Sequence, residues 1–152
     1  MKNDVVPVQI RGILPAPSGC ALFVGNDEKV FVINVEPQMG QVIGMFLRDT
    51  PKERPLTHDL INRMFQGFGI NVERVIITDL KNSTYFARII LQQQNELARK
   101  IVELDARPSD CLALAAAQKK PIFVSAPLFA QVEDMTEVLD KMNDSGSETE
   151  SD

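Results

Sequence analysis

The chain has 152 residues, of which 44% are hydrophobic and 24% are charged, and its formal net charge is −5. This length and composition are typical of one globular domain that can bury a core without a disulfide or a metal. Four of the 21 acidic residues lie in residues 143–152, and the other 17 are nearly balanced by 16 basic residues, which argues against a general, charge-driven nucleic-acid coat protein.

The first half of the chain is predicted to contain three strands and two helices. Residues 5–14 have strand character, and residues 20–25 and 30–35 are apolar, β-branched runs around a turn, as in a β-hairpin. Apolar residues at helical spacing predict a helix over residues 37–47. A second helix is predicted from Thr57 as its N-cap. Its buried stripe should consist of Leu60, Ile61, Met64, Phe65 and Phe68.

The second half is predicted to form a meander followed by helices. Residues 72–78, 84–91 and 98–104 read as strands, and residues 106–120 predict a helix with Pro108 in its first turn. A short strand over 122–125 and an amphipathic helix over 127–142 follow. We therefore expect an α+β fold, with an antiparallel-rich mixed sheet packed with about four helices in one compact domain over residues 5–142. Residues 143–152 should be a disordered acidic tail.

The sequence also indicates a compartment. No basic segment followed by an apolar core opens the chain, and no apolar run approaches the ~20 residues that cross a bilayer. Cys20 and Cys111 are well separated and outside any CxxC pair, which favours reduced thiols. We expect a cytoplasmic protein with no membrane partner.

Three polar segments are candidates for a functional site. His58, the only histidine, could transfer a proton near neutral pH, or it could simply pack the loop before its helix. In the segment from Asp105 to Asp110, Arg107 could clamp a phosphate at a helix start, and the carboxylates could hold a divalent cation. A capping network with an Arg–Asp ion pair explains the same segment. The turn from Asp79 to Lys81 could join such a site or be ordinary hairpin chemistry.

Three ordered runs carry a family resemblance: Arg54–Leu60, Val75–Lys81 with Tyr85–Arg88, and Glu103–Asp110 leading into Leu112–Ala115. Together they resemble the bifunctional nuclease domain family over roughly residues 5–124. The family is named for plant members reported to degrade both DNA and RNA. The resemblance implies a single α/β domain that self-associates as a dimer or trimer. It also implies that a set of polar residues belongs to the common motifs: Arg54, Thr57, His58, Asp59, Asp79, Asp105, Arg107, Ser109 and Asp110.

The leading hypothesis is a nuclease that hydrolyses phosphodiester bonds of DNA or RNA with Mg²⁺ or another divalent cation. Asp79, Asp105 and Asp110 would hold the metal or position water, Arg107 would stabilise the developing charge, and His58 would be the general acid or base. The expected substrate-binding residues are Arg54, Thr57, Lys81 and Ser109.

Two alternatives remain open at this stage. The same cluster could bind a small anion in a non-catalytic regulatory module, or it could be purely structural. The sequence contains no P-loop, Rossmann, zincin or nucleophile-elbow signature that would decide between them.

Overall fold

The computed structural model describes residues 4–150, with side chains described as far as Asp144. Within this range the chain forms seven strands and five helices. The strands are β1 (Val5–Ala16), β2 (Gly19–Gly25), β3 (Val30–Val35), β4 (Ile70–Lys81), β5 (Thr84–Gln94), β6 (Arg99–Ala106) and β7 (Ile122–Ser125). The helices are α1 (Pro37–Leu47), α2 (Thr57–Gly67), α3 (Pro108–Gln118), α4 (Ala126–Gln131) and α5 (Thr136–Glu150).

The strands form one mixed sheet in the order β3-β2-β1-β7-β4-β5-β6. Its neighbouring pairs are antiparallel except for β4 and β7, which run parallel. The sheet is strongly curled, because Phe31 of β3 and Tyr85 of β5 are far apart in the strand order and yet have ring centroids 5.8 Å apart. The expected α+β, antiparallel-rich fold is confirmed.

Helix α3 lies at the centre of the hydrophobic core. Its residues from Cys111 to Ala116 are all buried, and it packs against α1, α2, β4 and β5. Small alanine side chains allow these neighbours to approach closely on several sides of the helix. The position of the α3 N-terminus, where Arg107, Ser109 and Asp110 lie, is therefore fixed by core packing.

The predicted burial of the α2 stripe is wrong for three of its five residues. Leu60, Met64 and Phe68 are 50%, 53% and 71% exposed, whereas Ile61 and Phe65 pack against the core. The helix spacing itself was correct, but α2 rests on α3 and β4 with one side only. The N-cap of α2 lies one residue earlier than predicted, at Leu56 in place of Thr57, and the Leu56 N–H donates to Asp59 at 2.8 Å.

The predicted final helix over residues 127–142 is two helices. Asp134 accepts hydrogen bonds from the backbone N–H groups of Thr136 and Val30, so it ends the connection after α4 and begins α5. The backbone of α5 is helical to Glu150, so the helix includes residues 143–150, which the sequence predicts as part of an acidic tail. The predicted disorder of residues 151–152 lies outside the described residues.

No described helix is both long and apolar enough to span a membrane.

We predict that Gly40→Ala destabilises the protein by about 1–3 kcal/mol. A Cβ on Gly40 of α1 would press on Cys20 Sγ and lie 2.8 Å from Cys20 Cβ in β2, where the core has no room. Urea unfolding of the variant and the wild type measures the difference. Gly67→Ala is the matched control, because its Cβ meets nothing within 4 Å and should cost nothing. Equal stability of Gly40→Ala and Gly67→Ala would contradict this account.

Candidate functional site

A hollow of about 750 Å³ opens where the curled sheet meets the start of α3. Its walls come from the β1–β2 turn, the end of β3, the start of α1 and the β4–β5 turn. Its lining includes eight polar residues: Ser18, Asn34, Glu36, Ser83, Thr84, Tyr85, Arg107 and Ser109. The hollow thus combines segments that are distant in the sequence, and two of the predicted site residues, Arg107 and Ser109, line it.

The N-terminus of α3 forms one wall of this hollow. Arg107 is the N-cap residue in an extended conformation, and Pro108 takes the first helical position, where its missing N–H has no cost. Ser109 follows and is buried, whereas the Arg107 side chain is 62% exposed. The first turn of a helix has N–H groups without intrahelical partners and a positive dipole end. Together with Arg107 this wall favours an anion.

Asp110 joins Arg107 to His58. The Arg107 Nε–H donates to Asp110 Oδ2 at 3.0 Å, and His58 Nε2 lies 3.0 Å from Asp110 Oδ1. Since an ionised carboxylate can only accept, His58 must carry its hydrogen on Nε2. Both carboxylate oxygens are thereby occupied, and α2 is connected to the start of α3.

His58, which the sequence predicts as the general acid or base, is enclosed by its neighbours. The residue is only 7% exposed, its ring packs edge-on against Phe46 at 6.5 Å, and its Nε2 is committed to Asp110. Its contacts are those of a residue that orients Asp110, and Asp110 in turn orients Arg107.

The carboxyl of Asp110 is held in its ionised form. Partial burial by itself raises the pKa of Asp110, but the hydrogen bonds from Arg107 and His58 and their charges outweigh it, so the net pKa is lowered. The same interaction raises the pKa of Arg107. At neutral pH Asp110 is therefore an acceptor that fixes its two partners and has no proton to give.

Several polar residues of the hollow were not predicted from the sequence, among them Glu36 and Tyr85. Glu36 lies 3.6 Å from Arg107 Nη1, and both side chains are mostly exposed. Tyr85 packs on Phe31, and burial raises the pKa of its hydroxyl, which stays protonated and able to donate. The only local signal for Glu36 was its position before Pro37 at a helix start; nothing local indicated that the sheet would bring it to Arg107.

The remaining predicted residues lie elsewhere. Asp79 pairs with Phe86, and Asp105 pairs with Arg88. Their partners alternate with the buried Ala87 and Ile89, so Asp79 and Asp105 lie on the sheet face opposite to the helices.

The predicted substrate-binding residues also separate. Lys81 Nζ lies over the Phe86 ring, 5.8 Å from its centroid, and Arg54, Thr57 and Lys81 do not line the hollow.

The predicted metal ligands are not gathered into one cluster. Within the described part of the chain, no group of three or more His, Cys, Asp or Glu side chains is placed to hold a metal ion. Glu36, which lines the hollow, and Asp110 both pair with Arg107. Mg²⁺ commonly keeps several waters and binds through one or two carboxylates and the substrate phosphate, so a cation bound there would need the substrate to complete its shell.

The Cys111 thiol is not suited to act as a nucleophile. Cys111 is fully buried, and burial together with Asp110 and Asp105 raises its pKa to about 12. The thiol is therefore protonated and unreactive.

We predict that Asp110→Asn lowers the unfolding free energy by about 1–3 kcal/mol at pH 7, because Arg107 and His58 lose their charged acceptor. A carboxyl whose pKa is lowered by folding stabilises the protein above its unfolded pKa of about 4, and this contribution disappears as pH falls through the lowered value. The difference in unfolding free energy between the wild type and Asp110→Asn, measured by urea unfolding, should thus become smaller at low pH.

Asp27→Asn is the control for this pH series, because Asp27 is fully exposed in its pair with Arg11. It should change stability little at any pH. If the difference in unfolding free energy between the wild type and Asp110→Asn stays constant down to low pH, the role given to the carboxylate is refuted.

The bifunctional nuclease domain model matches residues 22–137. The chain is 29% identical over 106 residues to uncharacterized proteins of two Mycobacterium tuberculosis strains, and the match covers 70% of this chain and 60% of theirs. It is 25% identical over 129 residues to bifunctional nuclease 1 of Arabidopsis thaliana, covering 77% of this chain and 39% of that protein.

The family match includes the strands and helices that build the hollow from β2 onward, with Glu36, His58, Tyr85, Arg107 and Asp110. The chain spans less than two thirds of the length of these relatives. Because the family model matches most of the chain, this protein belongs to the bifunctional nuclease domain family.

Proposed function

We propose that this chain is a nuclease that binds a phosphate of DNA or RNA at Arg107 and hydrolyses a phosphodiester bond in the hollow. The observation that carries the proposal is the chain of contacts from His58 through Asp110 to Arg107, which orients a guanidinium at the hollow wall. A planar guanidinium held by its Nε still presents the two terminal nitrogens, whose fork matches two phosphate oxygens. Membership of the family and the name of the Arabidopsis relative support the same reaction class.

The substrate would be held by several weak polar contacts around that one charge. Ser109 and Tyr85 supply hydroxyls, and Asn34 supplies an amide, on the lining of the hollow. The α3 N-terminus adds a positive dipole end. This arrangement suits local binding of one phosphodiester and agrees with the near-neutral charge of the chain outside residues 143–152.

Hydrolysis requires a positioned water, and we assign this role to Glu36. Its carboxylate is exposed, lines the hollow and lies 3.6 Å from Arg107 Nη1, so a phosphate on Arg107 would be adjacent to it. A carboxylate in this position can accept a proton from the attacking water. His58 and Asp110 are positioning residues in this scheme.

A divalent cation, for which Mg²⁺ is our proposal, would neutralise phosphate charge as the bond breaks. Asp79 and Asp105, which the sequence predicts as metal ligands, lie on the sheet face opposite to the helices and do not line the hollow, so the proposed cation would not contact them. Both cysteines are free thiols, which supports the proposal of a cytoplasmic protein.

A second candidate is a non-catalytic module that binds a small anion in the same hollow. The absence of a three-carboxylate cluster among the described residues favours it. The two candidates share Arg107 and differ in whether phosphodiester bonds are cleaved.

We predict that Arg107→Ala lowers kcat/KM for cleavage of single-stranded DNA and RNA by about 10²–10³-fold, since it removes the phosphate ligand. Glu36→Gln should instead lower kcat while KM is unchanged or smaller, because it frees Arg107 and removes the proton acceptor. Steady-state kinetics on purified variants distinguishes the two effects.

Arg11→Ala is the matched control, because Arg11 also pairs with an exposed carboxylate, that of Asp27, but does not line the hollow. It should cleave like the wild type. Cleavage retained by Arg107→Ala would reject the proposed site. Absence of cleavage in the wild type, with nucleotide binding that Arg107→Ala abolishes, would establish the anion-binding module instead.

We also predict that EDTA removes cleavage and that added Mg²⁺ restores it. Asp79→Asn should leave the Mg²⁺ concentration for half-maximal rate unchanged, because Asp79 pairs with Phe86 on the outer sheet face. Titration of the rate with Mg²⁺ measures this. A large increase in the required Mg²⁺ for Asp79→Asn would place the cation at the outer face, and cleavage that resists EDTA would remove the cation from the mechanism.

A further inference from the structure

A second hollow, of about 730 Å³, lies at the opposite end of α3 from Arg107. Its walls come from the middle of β1, the β2–β3 turn, the ends of α1 and α3 and the start of β7. Among the described residues the two hollows have no lining residue in common. Helix α3 has 11 residues and is therefore about 16 Å long, so the second hollow is a separate site.

Apolar side chains form much of this second hollow: Val8, Ile10, Leu47, Ala115, Ala116 and Ile122. Most of them also belong to the core, but Leu47 at the end of α1 is 42% exposed. Sites for small molecules are commonly concave, have volumes of roughly 300–1,000 Å³ and combine an apolar lining with a few polar groups. The second hollow has the size and the lining of such a site.

The charged residues of the second hollow are mostly basic. Arg11, Lys119 and Lys120 line it, and Asp27 is the one acidic residue in the described lining. The lining therefore carries an excess of two positive charges, which favours a ligand with a negative group.

Lys120 is the cation best placed to receive this negative group. Arg11 pairs with Asp27 at 3.3 Å, and Lys119 pairs with Asp49 at 3.1 Å. Lys120 is partly buried and forms no ion pair with any side chain in the described part of the chain. A partly buried ammonium without a carboxylate partner gains more from an incoming anion than an ammonium that is already paired.

The C-terminal end of α3 has been adapted in a way that tolerates an anion nearby. Lys119 takes a left-handed conformation with φ 57°, so that its own N–H and that of Lys120 turn back onto the helix. The Lys120 N–H donates to the Ala115 carbonyl at 2.9 Å, and the Lys119 N–H donates to the Ala116 carbonyl at 3.4 Å. Two of the terminal carbonyls are thereby satisfied, and the two lysines offset the negative end of the dipole.

We propose that the second hollow binds a small amphipathic anion, an alkyl carboxylate whose headgroup pairs with Lys120 and whose chain covers Leu47 and Ala116. A free phosphate or a nucleic-acid phosphate would use the charge and leave the apolar lining in water. A cation would meet the excess positive charge. The site does not depend on the nuclease proposal, because it uses neither Arg107 nor Glu36.

Titration with decanoate, followed by amide NMR, tests the site. Binding should be saturable, and the largest shifts should be those of residues lining the second hollow, such as Ile10, Ala116 and Lys120. Octanoate should bind about tenfold more weakly than decanoate, because it buries two fewer methylene groups. Arg107→Ala should bind decanoate like the wild type.

Lys120→Gln tests the pairing of the headgroup. It should weaken decanoate binding about fivefold, the effect of one partly exposed ion pair, and should leave binding of the uncharged octanol unchanged. Lys100→Gln is the matched control, because Lys100 is an exposed lysine on β6 that does not line the second hollow, and it should bind decanoate like the wild type.

Leu47→Ser tests the apolar contact. It should weaken the binding of both decanoate and octanol, because both chains lose the same apolar surface. Leu47 is substantially exposed, so the variant should fold, and its amide spectrum verifies this.

Four results would overturn the proposal. They are no saturable binding of decanoate, shifts confined to the exposed α2 residues Leu60, Met64 and Phe68, decanoate binding unaffected by Lys120→Gln, and decanoate binding lost in Arg107→Ala. The last result would place the anion in the first hollow. Failure of the nuclease proposal would leave all of these titrations unchanged.

Discussion

The burial of α3 is the constraint on which the rest of the structure depends. Residues from Cys111 to Ala116 are enclosed by α1, α2, β4 and β5, so the helix cannot shift along its axis without opening gaps in the core. Its N-terminus is consequently a fixed point at the rim of the curled sheet. Arg107 and Ser109 occupy the hollow because the apolar half of α3 is held in place, and Asp110 is within reach of His58 because α2 rests on the same helix.

The polar network at this point combines structural and chemical roles. Asp110 accepts hydrogen bonds from Arg107 and His58, and its lowered pKa reflects the free energy that these contacts contribute. A carboxylate that orients a guanidinium does not need to touch the substrate to influence how a phosphate is bound. The buried His58 therefore acts by orienting Asp110, whereas the exposed Arg107 and Glu36 can contact a ligand. The capping network considered from the sequence and the anion site are therefore two functions of one set of contacts.

Two elements of the fold, α2 and β6, leave apolar side chains uncovered. Helix α2 buries only one side, β6 leaves its outer edge without a partner in the described chain, and Leu104 extends the apolar surface between them. By contrast, the segment before α5 covers the β3 edge with two backbone-directed hydrogen bonds. Of the two sheet edges, β6 is therefore the one whose backbone groups can still pair with a further strand.

The sequence by itself determined the elements, because helix periodicity, turn residues and first-turn prolines act within a few residues of the chain. It predicted α1 over residues 37–47 and the Pro108 start of α3, and it singled out Arg107, Ser109 and Asp110. Only the tertiary structure decided which of the polar segments meet. Asp79 and Asp105 fall on the outer face because strand pairing assigns alternate residues to opposite sides, whereas Glu36 and Tyr85 reach the hollow because the sheet curls. Likewise, the spacing of Leu60, Met64 and Phe68 reveals an apolar stripe, but its exposure depends on what packs beside α2. Local patterns specify what each segment is; contacts between distant segments specify what each side chain faces.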